Sequence, residues 1–180
     1  MNGLPRAYPG MKIGLFGGSF DPAHEGHAHV AETVLKRLRL DQVWWLVSPQ
    51  NPLKPKSSPF AQRLASARAM AQGSKMIVTD LEQRLGCAFT YQTIRTLKRR
   101  YPNVDFTLVM GADNLAHFRK WRNWREVAAA LPVAVVSRPG LAPSARLSAP
   151  KGWIFLNARH HPQSSTALRK RAAVAKGKRK

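Results

Sequence analysis

Acidic residues are scarce in this chain of 180 residues: nine Asp and Glu stand against thirty Lys and Arg, a formal charge of +21. Cysteine is nearly absent. The single Cys87 excludes an internal disulfide and any Cys-rich zinc site. No apolar run approaches the roughly 18 residues that a membrane-spanning helix needs. The first ten residues lack the apolar centre of a signal peptide, so a soluble cytoplasmic protein without membrane partners is expected. Two phosphate-binding signatures are missing as well: neither G-x-x-x-x-G-K-[ST] nor G-x-G-x-x-G occurs. The zinc-protease pattern H-E-x-x-H is missed by one residue at His24-Glu25-Gly26-His27. His24, His27 and His29 could form a metal cluster, but no cysteine or clear carboxylate partner supports one, so no resident metal is expected.

What is present suits one packed domain. The chain is 44% hydrophobic and 22% charged, ordinary values for a globular protein of this length and too apolar for a disordered one. We read a single domain over 1–180, with an N-terminal extension at 1–10 and a basic tail at 170–180. The last twelve residues, from Arg169, carry seven of the bases and no acid, which leaves +14 on the rest. A field of this sign attracts nucleotides, polyphosphates or nucleic acid without choosing among them.

Periodicity supplies the elements. Lys12–Phe16 (KIGLF) predicts a strand that stops at a Gly17-Gly18 turn. A helix is expected from about Gly26 to Arg39, with Val30, Val34, Leu35 and Leu38 at helical spacing. Gln42–Val47 (QVWWLV) predicts a strand covered on both faces, so at least one of Trp44 and Trp45 belongs to the core. Further helices are expected over about 59–72, 91–100, 124–131 and 166–174. Further strands are expected over 75–79, 105–110, 133–136 and 153–156. Strands alternating with helices give an α/β class with a mostly parallel sheet. Ligands of such a sheet bind beyond the carboxyl ends of the strands. That brings together the segments that follow the first, second and fourth strands.

The first of those segments is the most specific stretch of the chain. Gly17–His27 reads GGSFDPAHEGH, between a strand and a helix. Two glycines let backbone approach a ligand closely. The helix that follows presents unpaired N–H groups and a positive dipole end. His24 and His27, three apart, share a face if both lie on the first turn. Two imidazoles there can donate hydrogen bonds to charge developing on phosphoryl oxygens. For either histidine alone, helix capping is the competing explanation.

Gly17–His27 resembles the nucleotidyltransferase signature GG-[ST]-F-D-P-x-H-x-G-H at every defined position. The resemblance points to the bacterial nicotinate-nucleotide adenylyltransferases. Three further segments agree, in the family's order: Ser48–Lys54 (SPQNPLK), Gly111–Trp121 (GADNLAHFRKW) and Gln163–Arg169 (QSSTALR). The resemblance implies a Rossmann-like fold of the nucleotidyltransferase type. It implies adenylyl transfer from ATP to nicotinate mononucleotide, with Mg²⁺ carried on the polyphosphate. It implies catalytic roles for His24, His27, Lys54 and Arg169. ATP would be bound by Gly17, Gly18, Ser19, Phe20, His24, His27, Gly111, Asp113, Ser165, Thr166 and Arg169. The mononucleotide would be bound by Lys54, Thr93, Trp121 and Arg122, with Trp121 stacking on the pyridine ring.

Plainer readings stand beside several of these. Lys54 is also readable as one more solvated lysine, Trp121 as core, Asp113 and Ser165-Thr166 as helix caps. The chain departs from the family pattern at Leu53, where His is usual. It departs again in Thr90–Leu97 (TYQTIRTL), where Gln92 falls at the tyrosine position and Arg95 at the aspartate. A shift of one residue would favour Tyr91 over Thr93 as the carboxylate contact. Arg95 and Arg122 could compensate for these departures by pairing with the acceptor's carboxylate or phosphate. Other acceptors, nicotinamide mononucleotide or phosphopantetheine, are the alternatives within the class. A nucleic-acid-binding protein using the basic tail is the alternative outside it, although the tail lacks the aromatics of a single-strand platform. The oligomeric state is left open.

Overall fold

The computed structural model describes residues 4–49, 57–137 and 152–157. Six strands form one sheet, all pairs parallel. They are β1 (Lys12–Gly18), β2 (Gln42–Val47), β3 (Met76–Thr79), β4 (Asp105–Gly111), β5 (Val133–Ser137) and β6 (Ile154–Asn157). The helices are α1 (Glu25–Arg37), α2 (Phe60–Met70), α3 (Leu81–Arg84), α4 (Thr90–Arg100), α5 (Ala112–Leu115) and α6 (Trp124–Ala130), with a 3₁₀ turn at Phe118–Lys120. Parallel neighbours require crossovers, and the helices supply them.

The strand order is β3-β2-β1-β4-β5-β6. The order reverses between β1 and β4, which is the switch point of the doubly wound Rossmann arrangement. β1 pairs with β4 from Lys12↔Asp105 to Phe16↔Val109. Gly17-Gly18 and Met110-Gly111 therefore emerge side by side at the carboxyl edge.

Alternation along β2 sorts the core into two layers. Trp44 and Trp45 are both fully buried, on opposite faces of the sheet. Trp44 packs with Ile13, Leu15, Ile94, Leu97 and Val127, under α4 and α6. Trp45 packs with Phe16, Val34, Val47 and Ala67, under α1 and α2. Each buried aliphatic or aromatic side chain contributes about 1.5–3 kcal/mol relative to exposure. The expectation for the tryptophans was at least one in the core; the structure buries both.

Most expected elements stand within two residues of their observed bounds. β1 differs: it runs through Gly17-Gly18, which pair with Leu46 and Val47, so the turn begins at Ser19. Flanking strands keep the ladder intact, and glycine there costs pairing only entropy. The helix expected over 166–174 lies outside the described residues, as does the basic tail. Among the described residues no helix is long and apolar enough to cross a membrane.

Candidate active site

The loop from Ser19 to His24 joins β1 to α1 at the switch point. Phe20 is its pivot. Its φ of 47° is left-handed, a conformation that costs a bulky residue about 1–3 kcal/mol and persists where packing over-determines it. Packing does so here. The Phe20 ring lies edge-on to Phe16 at 5.4 Å between centroids and 5.1 Å from Trp45. It also covers Gly18, where a Cβ would sit 3.1 Å from the ring. A side chain at Gly18 would press on the Phe20 ring, which its own packing against Phe16 and Trp45 holds in place. Gly17 and Gly111 differ: a Cβ on either would meet nothing within 4 Å. Their missing side chains leave open backbone on the ligand side of the switch point.

His24 caps α1 in an extended conformation, φ −152° and ψ 168°, and is buried. His27 is the third helical residue. The two rings lie 3.9 Å apart between centroids, so they share one face as their spacing required. The backbone N–H of His24 donates to Nδ1 of His27 at 3.2 Å. A ring nitrogen that accepts carries no hydrogen, so neutral His27 bears its proton on Nε2. Phe20 packs edge-on against the same ring at 5.1 Å. His27 is therefore fixed in both tautomer and orientation, with Nε2–H as its donor.

Asp113 lies exposed in the first turn of α5, two residues after the end of β4. Gly111, not Asp113, is the helix cap. Trp121 is half-buried against Phe118 at 5.3 Å. Arg122 is exposed and stands 5.5 Å from the centroid of the Phe89 ring. Phe89 caps α4, so Trp121 and Arg122 adjoin the start of that helix. Gln92 accepts the backbone N–H groups of Ala88 and Phe89 at 3.0 and 3.1 Å. Its departure from the family pattern thus gives α4 a cap.

Thr93 is placed otherwise than its expected role suggests. It is fully buried, and its hydroxyl donates to Oε1 of Glu82 at 2.9 Å. Burial pushes the Glu82 carboxyl up to about 7, against the opposing pull of the Thr93 hydrogen bond. Arg95 donates to Glu126 at 2.8 Å on the exposed face between α4 and α6. A groove of about 350 Å³ between those helices contains this pair, and the Gly17–His27 residues do not line it. Cys87 is buried and its thiol is raised by that burial, so it is no ready nucleophile. Lys54, Leu53, Ser165, Thr166 and Arg169 lie outside the described residues.

The sequence reading missed Arg63. It is 2% exposed yet occupies the buried face of α2 beside Phe60, Leu64 and Ala67. A charge at a position that helical spacing reserves for apolar residues was the available signal. Among the described residues no three His, Cys, Asp or Glu groups converge to hold a metal ion.

A glycine-lined switch point with paired imidazoles at a helix start is the arrangement of the nucleotidyltransferases, and comparison with known proteins agrees. Residues 15–171 match the cytidylyltransferase-like family model. The chain belongs to that family. Within it, a Caulobacter protein (strain K31) named a probable nicotinate-nucleotide adenylyltransferase is 54% identical over 160 residues, covering 88% of this chain and 84% of its own. A Roseobacter denitrificans protein of the same name is 50% identical, covering 96% and 87%. At these identities and coverages the chain is a member of the nicotinate-nucleotide adenylyltransferase branch. The nicotinic acid mononucleotide adenylyltransferase of Plasmodium falciparum, solved with NaAD, superposes with a TM-score of 0.74 at 21% identity, covering 89% of this chain and 83% of that one. That likeness bears on the fold, and it confirms the Rossmann-like sheet.

Proposed function

We propose that this protein transfers the adenylyl group of ATP to the phosphate of nicotinate mononucleotide, a step of NAD biosynthesis. The observation that carries the reading is the intact GGSFDPAHEGH segment at the β1/β4 switch point, with its two imidazoles on one face. A phosphate oxygen of the mononucleotide attacks the α-phosphorus of ATP. The bond from that phosphorus to the bridging oxygen breaks, and pyrophosphate leaves with nicotinate adenine dinucleotide formed. The attacking phosphate is already anionic at neutral pH, so no strong base is needed. Positioning and charge stabilisation supply the catalysis.

We assign the roles from where the residues stand and from the family resemblance. His27 offers Nε2–H, and His24 beside it adds a second imidazole, to the charge that develops on the α-phosphoryl oxygens. Gly17, Gly18 and Gly111 let the nucleotide lie against backbone. Ser19 and Phe20 shape the turn beneath it, and Asp113 faces the adenosine side. Trp121 stacks on the pyridine ring, and Arg122 pairs with the acceptor's carboxylate or phosphate. Thr93, fully buried and bonded to Glu82, is given no contact with the acceptor. Lys54, Ser165, Thr166 and Arg169 hold phosphates on the strength of the family resemblance. Mg²⁺ enters with ATP and supplies neutralisation of the polyphosphate charge. The cytoplasm suits these substrates, and the basic tail gives non-specific contact with nucleic acid.

Incubating the purified protein with ATP, Mg²⁺ and nicotinate mononucleotide tests the reading. Nicotinate adenine dinucleotide, identified by mass, is the expected product. Its absence from folded protein would overturn the proposal.

A further inference from the structure

We propose that Arg63 is a positioning residue for this reaction: it clamps the loop that leads to His24 against the residues that directly follow β2 and so fixes where the two imidazoles stand. The inference rests on the adenylyl-transfer reading for its catalytic consequence and on the structure for the clamp itself.

The guanidinium makes four hydrogen bonds, all to backbone carbonyls. Nη1 donates to Ser19 and to Ser48, both at 2.8 Å. Nη2 donates to Pro49 at 2.6 Å, and Nε to Ser58 at 2.9 Å. Ser19 opens the loop that leads to His24. Ser48 and Pro49 directly follow β2. One buried side chain thus ties together the residues that follow the neighbouring strands β1 and β2.

Two further contacts tighten the grip. Ser66, one turn along α2, accepts the backbone N–H of Ala23 at 2.8 Å. Ala23 immediately precedes His24, so α2 holds the loop near both ends. Asp21, buried within that loop, accepts the backbone N–H of Ser58 at 3.2 Å. Its carboxylate also opposes the effect of burial on the Arg63 guanidinium.

Filling this face alone would call for an apolar residue. A buried cation is costly unless fully hydrogen-bonded, and Phe60, Leu64 and Ala67 already cover this face. What arginine adds is a rigid planar fork that reaches several acceptors at fixed angles. Lysine keeps the charge, but its three donors sit on one nitrogen at the end of a flexible stem. Misplacing reacting groups by about 1 Å costs on the order of 10² in rate, so loosening the clamp should appear in kcat.

The test compares Arg63→Lys, Arg63→Met and a control, Phe106→Leu, a core truncation at the amino end of β4. The expected result is a kcat at least tenfold lower in both Arg63 variants, with the KM of each substrate within about threefold of the parent. The control, at a similar loss of melting temperature, should keep its kcat. If Arg63→Met does not fold, Arg63→Lys carries the comparison. Amide hydrogen exchange is read in parallel on Ala23, Ser48 and Ser58. Exchange there should be at least tenfold faster in Arg63→Lys and unchanged in the control. Retention of kcat within twofold in a folded Arg63 variant, or an equal loss in the control, overturns the positioning role. Unchanged exchange at all three amides overturns the clamp. If the parent protein itself has no turnover, the functional reading has failed, and the exchange data still decide the clamp.

Discussion

Replacing Glu82 with glutamine should stabilise the protein at neutral pH and do nothing for it in acid. The carboxyl is buried on α3, where it accepts a hydrogen bond from the Thr93 hydroxyl at 2.9 Å. Burial raises it from 4.5 to about 7. A raised carboxyl means that the folded state prefers the protonated form. Its contribution is therefore fully present below about pH 4.5 and is lost as pH climbs through about 7. At about 1.4 kcal/mol for each pH unit, the ionised group costs the fold about 3 kcal/mol above neutrality. Glutamine keeps the acceptor for Thr93 and never ionises. Glu82→Gln should therefore melt about 6–12 °C higher than the parent at pH 8, taking about 2–4 °C per kcal/mol for a chain of this size. At pH 4.5 the two should melt together within a degree or two. The assay is a melting curve of both proteins at half-unit steps from pH 4.5 to 8.5. Taking the difference cancels every other titration the two share. A difference that is constant across that range would refute the reasoning, because it would mean that the Glu82 carboxyl does not titrate differently in the folded chain.

Other outcomes follow from the same geometry. Gly17→Ala should fold as the parent does and raise the KM for ATP, whereas Gly18→Ala, facing the Phe20 ring at 3.1 Å, should lower both the melting temperature and kcat; steady-state kinetics with melting curves separates them. His27→Ala should lower kcat by about 10²–10³ with little change in melting temperature, the size expected for one donor at a reacting centre. Arg122→Ala should raise the acceptor KM and leave that of ATP alone, while Arg95→Ala, whose guanidinium already binds Glu126, should change neither. Truncation after Ala175 should leave turnover intact and weaken retention on immobilised nucleic acid.

Much of this arrangement was legible in the sequence, for identifiable reasons. β2 was placed to the residue because its apolar run is bounded by polar residues. The GGSFDPAHEGH segment carried its own structural context, a strand before and a helix after. Three short pieces were not foreseen: α3, α5 and the 3₁₀ turn at Phe118–Lys120. Elements of three or four residues complete too few turns to show a period. The end of β1 was drawn two residues short because glycine reads locally as a turn, and only pairing with β2 overrides it. Thr93 was expected at an open face. Its burial depends on α3, a contact that no local pattern announces. Arg63 was overlooked because its partners are backbone carbonyls, which sequence does not display. Its position among apolar neighbours was the visible trace.

The central claim is the reaction and its acceptor. Pyrophosphate release should be measured for the purified protein and for His27→Ala with ATP and Mg²⁺, offering nicotinate mononucleotide, nicotinamide mononucleotide or phosphopantetheine in parallel. The account predicts release that strongly favours nicotinate mononucleotide and falls by about 10²–10³ in the variant. No release from folded protein with any acceptor, or release that His27→Ala leaves unchanged, would contradict it.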